Sequence, residues 1–289
     1  MVSSKTINTG EVQNKGVELA IRATPISTKK GFKWEVYGTY TKNTNEVVSL
    51  TEGVEQIVLG GTASMAIVAQ VGKPYGAFYG TDLQTDPNGN VVVDPSSGLP
   101  LLTTELVYQG NYQPDFVASW GTGLSYKGIT LNALFDTKQG GIFFSQTRNT
   151  MAFVGTSKET EKRDDYVWEG SVVKNLDGSY SPNTTPFHPY DYYTSTVPFA
   201  DGVNIVDASF VKLRELSIGY KLPAKWLTKT PLGNVTVGLF GSNLFIWTPK
   251  ENKYSDPEQN SSGSSNTQGF ELNATPSQRN FGFDIRVTF

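Results

Sequence analysis

The end of the chain alternates strictly between apolar and polar residues. Every odd position in 281–289 carries a large apolar side chain, whereas the even positions in 280–288 carry glycine or a polar or charged residue. A period of two places the two sets on opposite faces of a β-strand. One face is therefore wholly apolar and the other carries Asp284 and Arg286, which predicts a strand between two very different environments.

Six further segments alternate in the same way and predict six more strands. The seven strands are about 10 to 13 residues long, whereas strands of globular proteins usually have about 5–6. A tilted strand crosses a bilayer with about 9–11 residues, so the lengths favour a membrane wall. A break in phase between Leu213 and Leu216 predicts a bulge around Arg214 and Glu215. The six segments are 17–24, 32–40, 116–126, 129–136, 210–222 and 235–247.

The connections between the predicted strands alternate between short and long. Short connections span 27–31, 127–128 and 223–234, and the second of these is a Lys-Gly hairpin turn. Long connections span 42–115, 138–208 and 248–278, with a short helix expected within 144–153. Structureless loops of that length are uncommon in compact soluble domains, but membrane β-barrels have short turns at one end and long loops at the other.

The composition excludes several kinds of site. The 289 residues include no cysteine and a single histidine, His188, so a disulfide framework, a thiolate nucleophile and a multi-histidine metal site are excluded. A net charge of -3 argues against nucleic-acid binding. The longest apolar run, Met65 to Ala69, is far shorter than the roughly 18 residues of a membrane helix. Residues 1–6 lack the apolar core of a signal peptide, so the gene is expected to start upstream, or the protein to stay where it is made.

Segments spread over nearly the whole chain resemble the C-terminal part of SusC/RagA-type TonB-dependent outer-membrane transporters. Each segment is short, and the likeness rests on their joint occurrence in the order of the family. They are GEVQNKGVEL (10–19), VGKPYGAFYG (71–80), QPDF (113–116), SYKG (125–128), DASFVKLRE (207–215), GSNLF (241–245), DPE (256–258) and the closing strand.

The resemblance implies a 22-stranded barrel with an N-terminal plug in its lumen. Residues 1–289 would form a single unit, an all-β, antiparallel transmembrane barrel segment of about the last seven strands. The plug and signal peptide are absent from this sequence, so we expect a fragment of a transporter. The implied role is import of glycan or peptide nutrients across the bacterial outer membrane, without catalysis or a cofactor. The implied partners are a SusD-like surface lipoprotein, outer-membrane lipid and, through the missing N-terminal part, the TonB complex.

Three groups of residues are candidate functional sites. Charges on the lipid face cost about 2–4 kcal/mol at the midplane, so charged strand residues are predicted to face the lumen, with Arg22 opposite Glu35. Loop aromatics are predicted to stack on a ligand or a partner, or else to close their own loops. The resemblance implies that apolar residues of the closing strand form a barrel-assembly signal. The lumen-facing charges are Glu18, Arg22, Lys33, Glu35, Asp284 and Arg286; the loop aromatics are Tyr75, Phe78, Tyr79, Tyr190, Tyr192 and Tyr193; the signal residues are Phe283, Ile285 and Phe289.

The same residues also allow other interpretations. A secreted all-β carbohydrate-binding or carbohydrate-degrading domain would share the aromatics and the low charge, but its strands would be shorter. A complete small barrel acting as a passive pore is disfavoured by the odd number of strands. Catalytic carboxylate pairs at 159/161, 164/165 and 256/258 lie in polar loops, where solvated acids are expected. Aromatics near strand ends or on the apolar face predict an interfacial girdle, or core packing: Trp34, Tyr40, Trp120, Tyr126, Tyr220 and Trp247.

Overall fold

A computed structural model describes residues 10–62 and 64–289. Within that part of the chain, seven long strands form one sheet in which every neighbouring pair is antiparallel. This sheet, the wall, confirms the predicted seven strands. In order across the sheet, its members are β1 (Gly10–Ser27), β2 (Lys33–Leu50), β7 (Phe116–Tyr126), β8 (Ile129–Gln139), β13 (Phe210–Lys221), β14 (Asn234–Trp247) and β16 (Asn280–Thr288).

The remaining strands and helices lie between the wall strands. Residues 51–115, 140–209 and 248–279 are called the first, second and third loops. No helix in residues 10–62 and 64–289 is long and apolar enough to cross a membrane. The additional strands are β3 (Gln56–Gly61), β4 (Ala66–Gln70), β5 (Ala77–Gly80), β6 (Val107–Asn111), β9 (Ile142–Ser145), β10 (Val172–Lys174), β11 (Tyr180–Pro182), β12 (Ile205–Asp207) and β15 (Phe270–Glu271), and the helices are α1 (Gln146–Phe153), α2 (Pro189–Asp191) and α3 (Ala224–Leu227).

The short turns and the bulge agree with the sequence. Lys127 and Gly128 both have positive φ, 49° and 86°, as a two-residue hairpin turn between right-twisted strands requires. The register of β13 shifts between Leu213 and Glu215 against both of its neighbours, so the predicted bulge is confirmed at Arg214. The predicted short helix is confirmed as α1. The N-terminal segment 1–6, which lacks the apolar core of a signal peptide, lies outside the described residues.

The predicted pairing of Arg22 with Glu35 is wrong. Arg22 lies opposite Tyr37 instead. The turn between β1 and β2 is centred later than expected, because Thr28 N–H donates to Phe32 O at 2.8 Å and closes a five-residue loop. A register shift between Ala23 and Ile26 then takes back one residue of this offset, so Arg22 lies opposite Tyr37, two residues beyond Glu35.

The packed clusters of buried apolar side chains lie in the loops. Met65, Ile67 and Phe78 of the first loop pack with Phe144 of the second loop and Phe270 of the third, and all five side chains are buried. The backbone joins the same loops. β15 of the third loop pairs in parallel with β9 of the second, and Gly202 N–H of the second loop donates to Thr81 O of the first at 2.9 Å. The three loops therefore form one folded layer at one end of the wall, where sequence patterns indicated only long connections.

Candidate functional site

The register of the wall separates a mainly polar face from an apolar face. Residues that are directly opposite in a sheet share a face, so one row of pairs can be followed from β2 to β16. One row runs Glu35, Gly123, Asn132, Ser217, Phe240, Gly282, and the adjacent row on the other face runs Trp34, Leu124, Leu131, Ile218, Leu239, Phe283. The first belongs to a polar face and the second to an apolar face.

All six predicted lumen-facing charges lie on the polar face. Glu18 pairs with Thr41 and Arg22 with Tyr37, so both share the face of Lys33 and Glu35. Asp284 pairs with Gly238 and Arg286 with Thr236, which places them on the same face at the opposite edge of the sheet. Among these six residues, only Lys33 and Glu35 form an ion pair with each other, with Lys33 Nζ 2.8 Å from Glu35 Oε1. Orientation towards a lumen remains a prediction.

Large apolar side chains on the apolar face are exposed to an extent that would be unfavourable in water. Leu239, Phe283 and Ile285 are 62%, 74% and 62% exposed although they lie within paired strands. Contiguous apolar surface of this kind marks contact with lipid or with another protein. The candidate signal residues Phe283 and Ile285 lie on this face, and Phe289 follows the last paired residue and is also exposed. Their recognition by an assembly machinery remains a prediction.

The predicted girdle residues also lie on the apolar face. Trp34 faces Leu124, Trp120 faces Phe135, and Trp247 faces Val211. The rings of Trp120 and Phe135 stack with centroids 5.5 Å apart. Tyr126 and Tyr220 both pair with Ile129 at the turn end of the wall, whereas Trp247 is at the loop end. Aromatics at two levels of an apolar face are typical of the two interfaces of a membrane.

The Tyr37 side chain lies over Gly121 on the polar face. Tyr37 pairs with Gly121, and a Cβ atom added at Gly121 would collide with the Tyr37 ring. Because Gly121 has no side chain, the Tyr37 ring can cover Gly121 instead of projecting away from the sheet. The ring therefore extends less far from the polar face at mid-strand.

Five charged side chains connect the wall to the third loop. Lys212 of β13 places Nζ 2.6 Å from Oδ2 of Asp256, and both side chains are buried. Glu258 contacts Lys212 and Arg214, and Arg214 Nε donates to Asp136 Oδ2 at 2.7 Å. These residues, the wall-loop charge cluster, unite the KLRE and DPE segments, which are far apart in sequence. The expectation that the acids at 256 and 258 are simply solvated is wrong, because they pair with the cations of β13.

The pKa of Asp256 reflects that pairing. Burial alone raises the pKa of a carboxyl group, because the charged form loses its hydration. Hydrogen bonds from Lys212 and from the backbone N–H of Glu258 outweigh burial and hold the pKa of Asp256 below its ordinary value. Asp256 is therefore ionised at neutral pH, where it neutralises the buried Lys212.

The predicted loop aromatics divide into two groups in different loops. Phe78 is fully buried and packs against Phe270 with ring centroids 5.4 Å apart, so the prediction that it faces a ligand or partner is wrong. The Tyr79 hydroxyl donates to Gln70, and Tyr75 of the same loop is half-buried. The contact between Tyr79 and Gln70 matches the alternative in which aromatics close their own loop. Phe78 instead belongs to the core that the three loops share.

The second group surrounds a cavity of about 250 Å³ in the second loop. Tyr192 and Tyr193 line it together with Tyr166 and Trp168, whereas Tyr190 is exposed outside it. Burial raises the pKa of Tyr192, and it raises the pKa of Tyr193 to about 12. Both hydroxyls are therefore protonated at neutral pH. Sequence reasoning overlooked Tyr166 and Trp168, although a tryptophan in a polar loop is itself a signal of a binding surface.

An ion pair forms one side of this cavity. Arg148 of α1 places Nη2 3.2 Å from Glu159 Oε2, and the Tyr193 hydroxyl donates to the backbone carbonyl of Glu159 at 2.7 Å. Across the described residues, no group of three or more histidine or acidic side chains is arranged to hold a metal ion. The cavity therefore offers aromatic faces and hydrogen-bonding groups.

Curated proteins with similar sequences are receptors of one kind. TonB-dependent receptor P3 of Formosa agariphila is 25% identical over 321 residues, covering 100% of this chain and 30% of the receptor. TonB-dependent receptor P26 of the same organism is 23% identical and covers 99% of this chain and 30% of its own length. The resemblance to TonB-dependent receptors is confirmed. No protein-family model matches the chain.

Solved structures show the same fold. The RagAB peptide transporter superimposes with a TM-score of 0.68 at 19% identity, covering 98% of this chain and 30% of that chain. The RagAB peptide importer in its closed-closed state gives a TM-score of 0.66 at 18% identity, with coverages of 98% and 30%. The chain thus spans about 30% of the length of the TonB-dependent receptors that it matches.

The similarity to TonB-dependent receptors confirms two further predictions. The fold is an antiparallel barrel segment, here an open sheet with β1 and β16 at its edges. The location is the bacterial outer membrane, in agreement with the exposed apolar face. The relatives are receptors and transporters and not enzymes.

Proposed function

We propose that this chain forms the last part of the wall and three surface loops of an outer-membrane transporter. The observation that carries this proposal is the two-faced wall, whose apolar face is exposed while its polar face carries charges. A wall of this kind separates lipid from an aqueous lumen. The similarity to TonB-dependent receptors supports energised transport, with the TonB complex acting through an N-terminal part of the whole protein.

The cargo is proposed to be glycan or peptide fragments. Half-buried aromatics in the loop layer offer faces for such ligands, and the two solved relatives are described as peptide transporters. Transport needs different ligand affinity in at least two states of the protein. In this chain the loop layer is the part that would hold cargo above the lumen, and it has no catalytic role.

A SusD-like surface lipoprotein is proposed as the partner that covers the loop layer. The layer supports this because its three loops share one core, which gives a partner a single folded surface. Exposed side chains on the layer, including Tyr190 and Phe199, offer contact area. Outer-membrane lipid is the partner proposed for the apolar face of the wall.

The test uses the full-length protein in its own bacterium. We expect it in the outer-membrane fraction, with faster gel migration before heating than after. A deletion strain should lose growth on a glycan or a peptide mixture that supports the wild type, and a tagged receptor should co-purify with a surface lipoprotein. Normal growth of the deletion strain on every such nutrient would contradict the transport role.

The alternative is a secreted carbohydrate-binding domain, favoured only by the aromatic cavity of the second loop. Such a domain would remain soluble without detergent and would not change its migration on heating. The exposed apolar face argues against this alternative, because a contiguous surface of this size would cause aggregation in water.

A further inference from the structure

The cavity in the second loop has walls suited to a flat, partly apolar ligand. Its aromatic residues form a connected cluster in which Trp168 and Tyr192 have ring centroids 5.2 Å apart, as do Tyr192 and Tyr193 at 5.1 Å. The buried Phe187 ring packs against both Trp168 and Tyr192. Tyr166, Trp168 and Tyr193 are only half-buried, so part of each ring remains open to a ligand.

Two polar groups of the cavity have no partner within the described chain. The Tyr192 hydroxyl and the Trp168 indole N–H make no side-chain hydrogen bond, although the Tyr193 hydroxyl beside them does. Neither atom is among the fully buried unpartnered atoms of the described chain, so both are open to solvent in the cavity. An incoming ligand with hydroxyl groups would take the place of water at these two groups.

The charged residues that line the cavity are one ion pair and one unpaired acid. Arg148 is already paired with Glu159. Glu169 also lines the cavity and forms no ion pair within the described chain, whereas Lys162 lies over the Tyr166 ring, with Nζ 3.4 Å from the centroid. A strongly anionic ligand would therefore meet an unpaired carboxylate, so an uncharged sugar is favoured over an acidic one.

We propose that this cavity binds one neutral sugar ring of an oligosaccharide, an inference that rests on the proposed transport function. A pyranose ring has an apolar face of C–H groups and a rim of hydroxyls, which matches aromatic walls bearing free donors. The volume of about 250 Å³ lies below the roughly 300–1,000 Å³ of sites for larger ligands, so a single ring fits best. The cavity would thus select glycan over peptide cargo.

The experiment measures binding to the full-length receptor purified in detergent. Laminarihexaose, maltohexaose and cellohexaose are titrated by calorimetry, beside hexagalacturonate and a tryptic casein digest. At least one neutral hexasaccharide should bind, with the dissociation constant raised at least tenfold by Trp168→Ala and several-fold by Tyr192→Phe. Tyr190→Phe is the matched control, because Tyr190 lies in the same loop outside the cavity, and it should bind as the wild type does.

Each result supports or overturns the proposal. Tyr192→Phe keeps the ring and its packing. If Trp168→Ala does not assemble in the membrane, sugar binding by Tyr192→Phe alone tests the proposal. The proposal is overturned if no neutral hexasaccharide binds, if both cavity variants bind sugar as the wild type does, or if only the anionic sugar or peptides bind in a manner that depends on Trp168. Outer-membrane fractionation and growth are recorded separately, so failure of this site is distinguishable from failure of the transport role.

Discussion

Lys212 of the wall and Asp256 of the third loop form a buried ion pair, with Nζ 2.6 Å from Oδ2. Removing one member of a buried pair leaves the other charge without compensation, which costs about 3–5 kcal/mol. Lys212→Ala should therefore release the third loop from the wall. We expect rapid trypsin cleavage at Lys250 or Lys253 in this variant, measured against the wild type in detergent.

The control for that change is Lys33→Ala. Lys33 pairs with Glu35 on the same face, but both side chains are substantially exposed, so the loss should leave cleavage of the third loop unchanged. Equal cleavage of both variants would show that the charge cluster does not hold the loop.

Attachment of the third loop should depend on pH in a defined direction. Because the pKa of Asp256 is lower in the folded protein than in an unfolded chain, its ionised form favours folding. That contribution is complete above the unfolded value of about 3.9 and is lost as pH falls through the lowered folded pKa. Cleavage by an acid-active protease should increase only below about pH 4. Asp256→Asn should show loop release already at pH 7, and a wild-type loop released between pH 5 and 7 would contradict the assignment.

The two faces of β16 should respond oppositely to a new cation. Ile285→Arg places a charge on the apolar face, where it costs about 2–4 kcal/mol near the bilayer midplane. Asp284→Arg puts the same residue one position away on the polar face, where it remains hydrated. We expect the full-length Ile285→Arg variant to be depleted from the outer-membrane fraction, with Asp284→Arg close to wild type. Equal depletion would argue against a lipid-facing surface.

Gly121 should tolerate a side chain only when Tyr37 is shortened. Gly121→Val forces the Tyr37 ring away from its neighbour, and overpacking of this kind costs about 1–3 kcal/mol. Heat-modifiable migration should then be lost at a lower temperature than in the wild type. Adding Tyr37→Ala should restore much of the difference, which a double-mutant cycle measures. Gly123→Ala is a milder control, because the nearest atom, Asn132 Oδ1, is 3.1 Å from the added carbon.

The wall was predictable because each of its strands repeats a signal of period two. The bulge at Arg214 was visible for the same reason, since it breaks that period. Inside the loops, strands such as β10 and β15 have two or three residues, too few for any periodic pattern. Their existence depends on packing between distant segments, and burial of Phe78 against Phe270 arises in the same way.

The candidate site was only partly accessible from sequence. The faces of the six wall charges follow directly from alternation, but the partner of Arg22 depends on where a five-residue turn closes. The contact of Lys212 with Asp256 joins residues separated by 44 positions, and nothing in the sequence of either segment indicates the other as its partner. The cavity of the second loop likewise requires Tyr166 and Tyr192 to be brought together by the fold.

The shared core of Phe78, Phe144 and Phe270 has a consequence for engineering chimeras between related receptors. Exchanging a single loop would remove that loop's side chains from a closely packed cluster and leave a void against the other two loops. The three loops should therefore be transplanted together as one cassette. Changes of cargo preference within one loop should be confined to side chains outside that cluster.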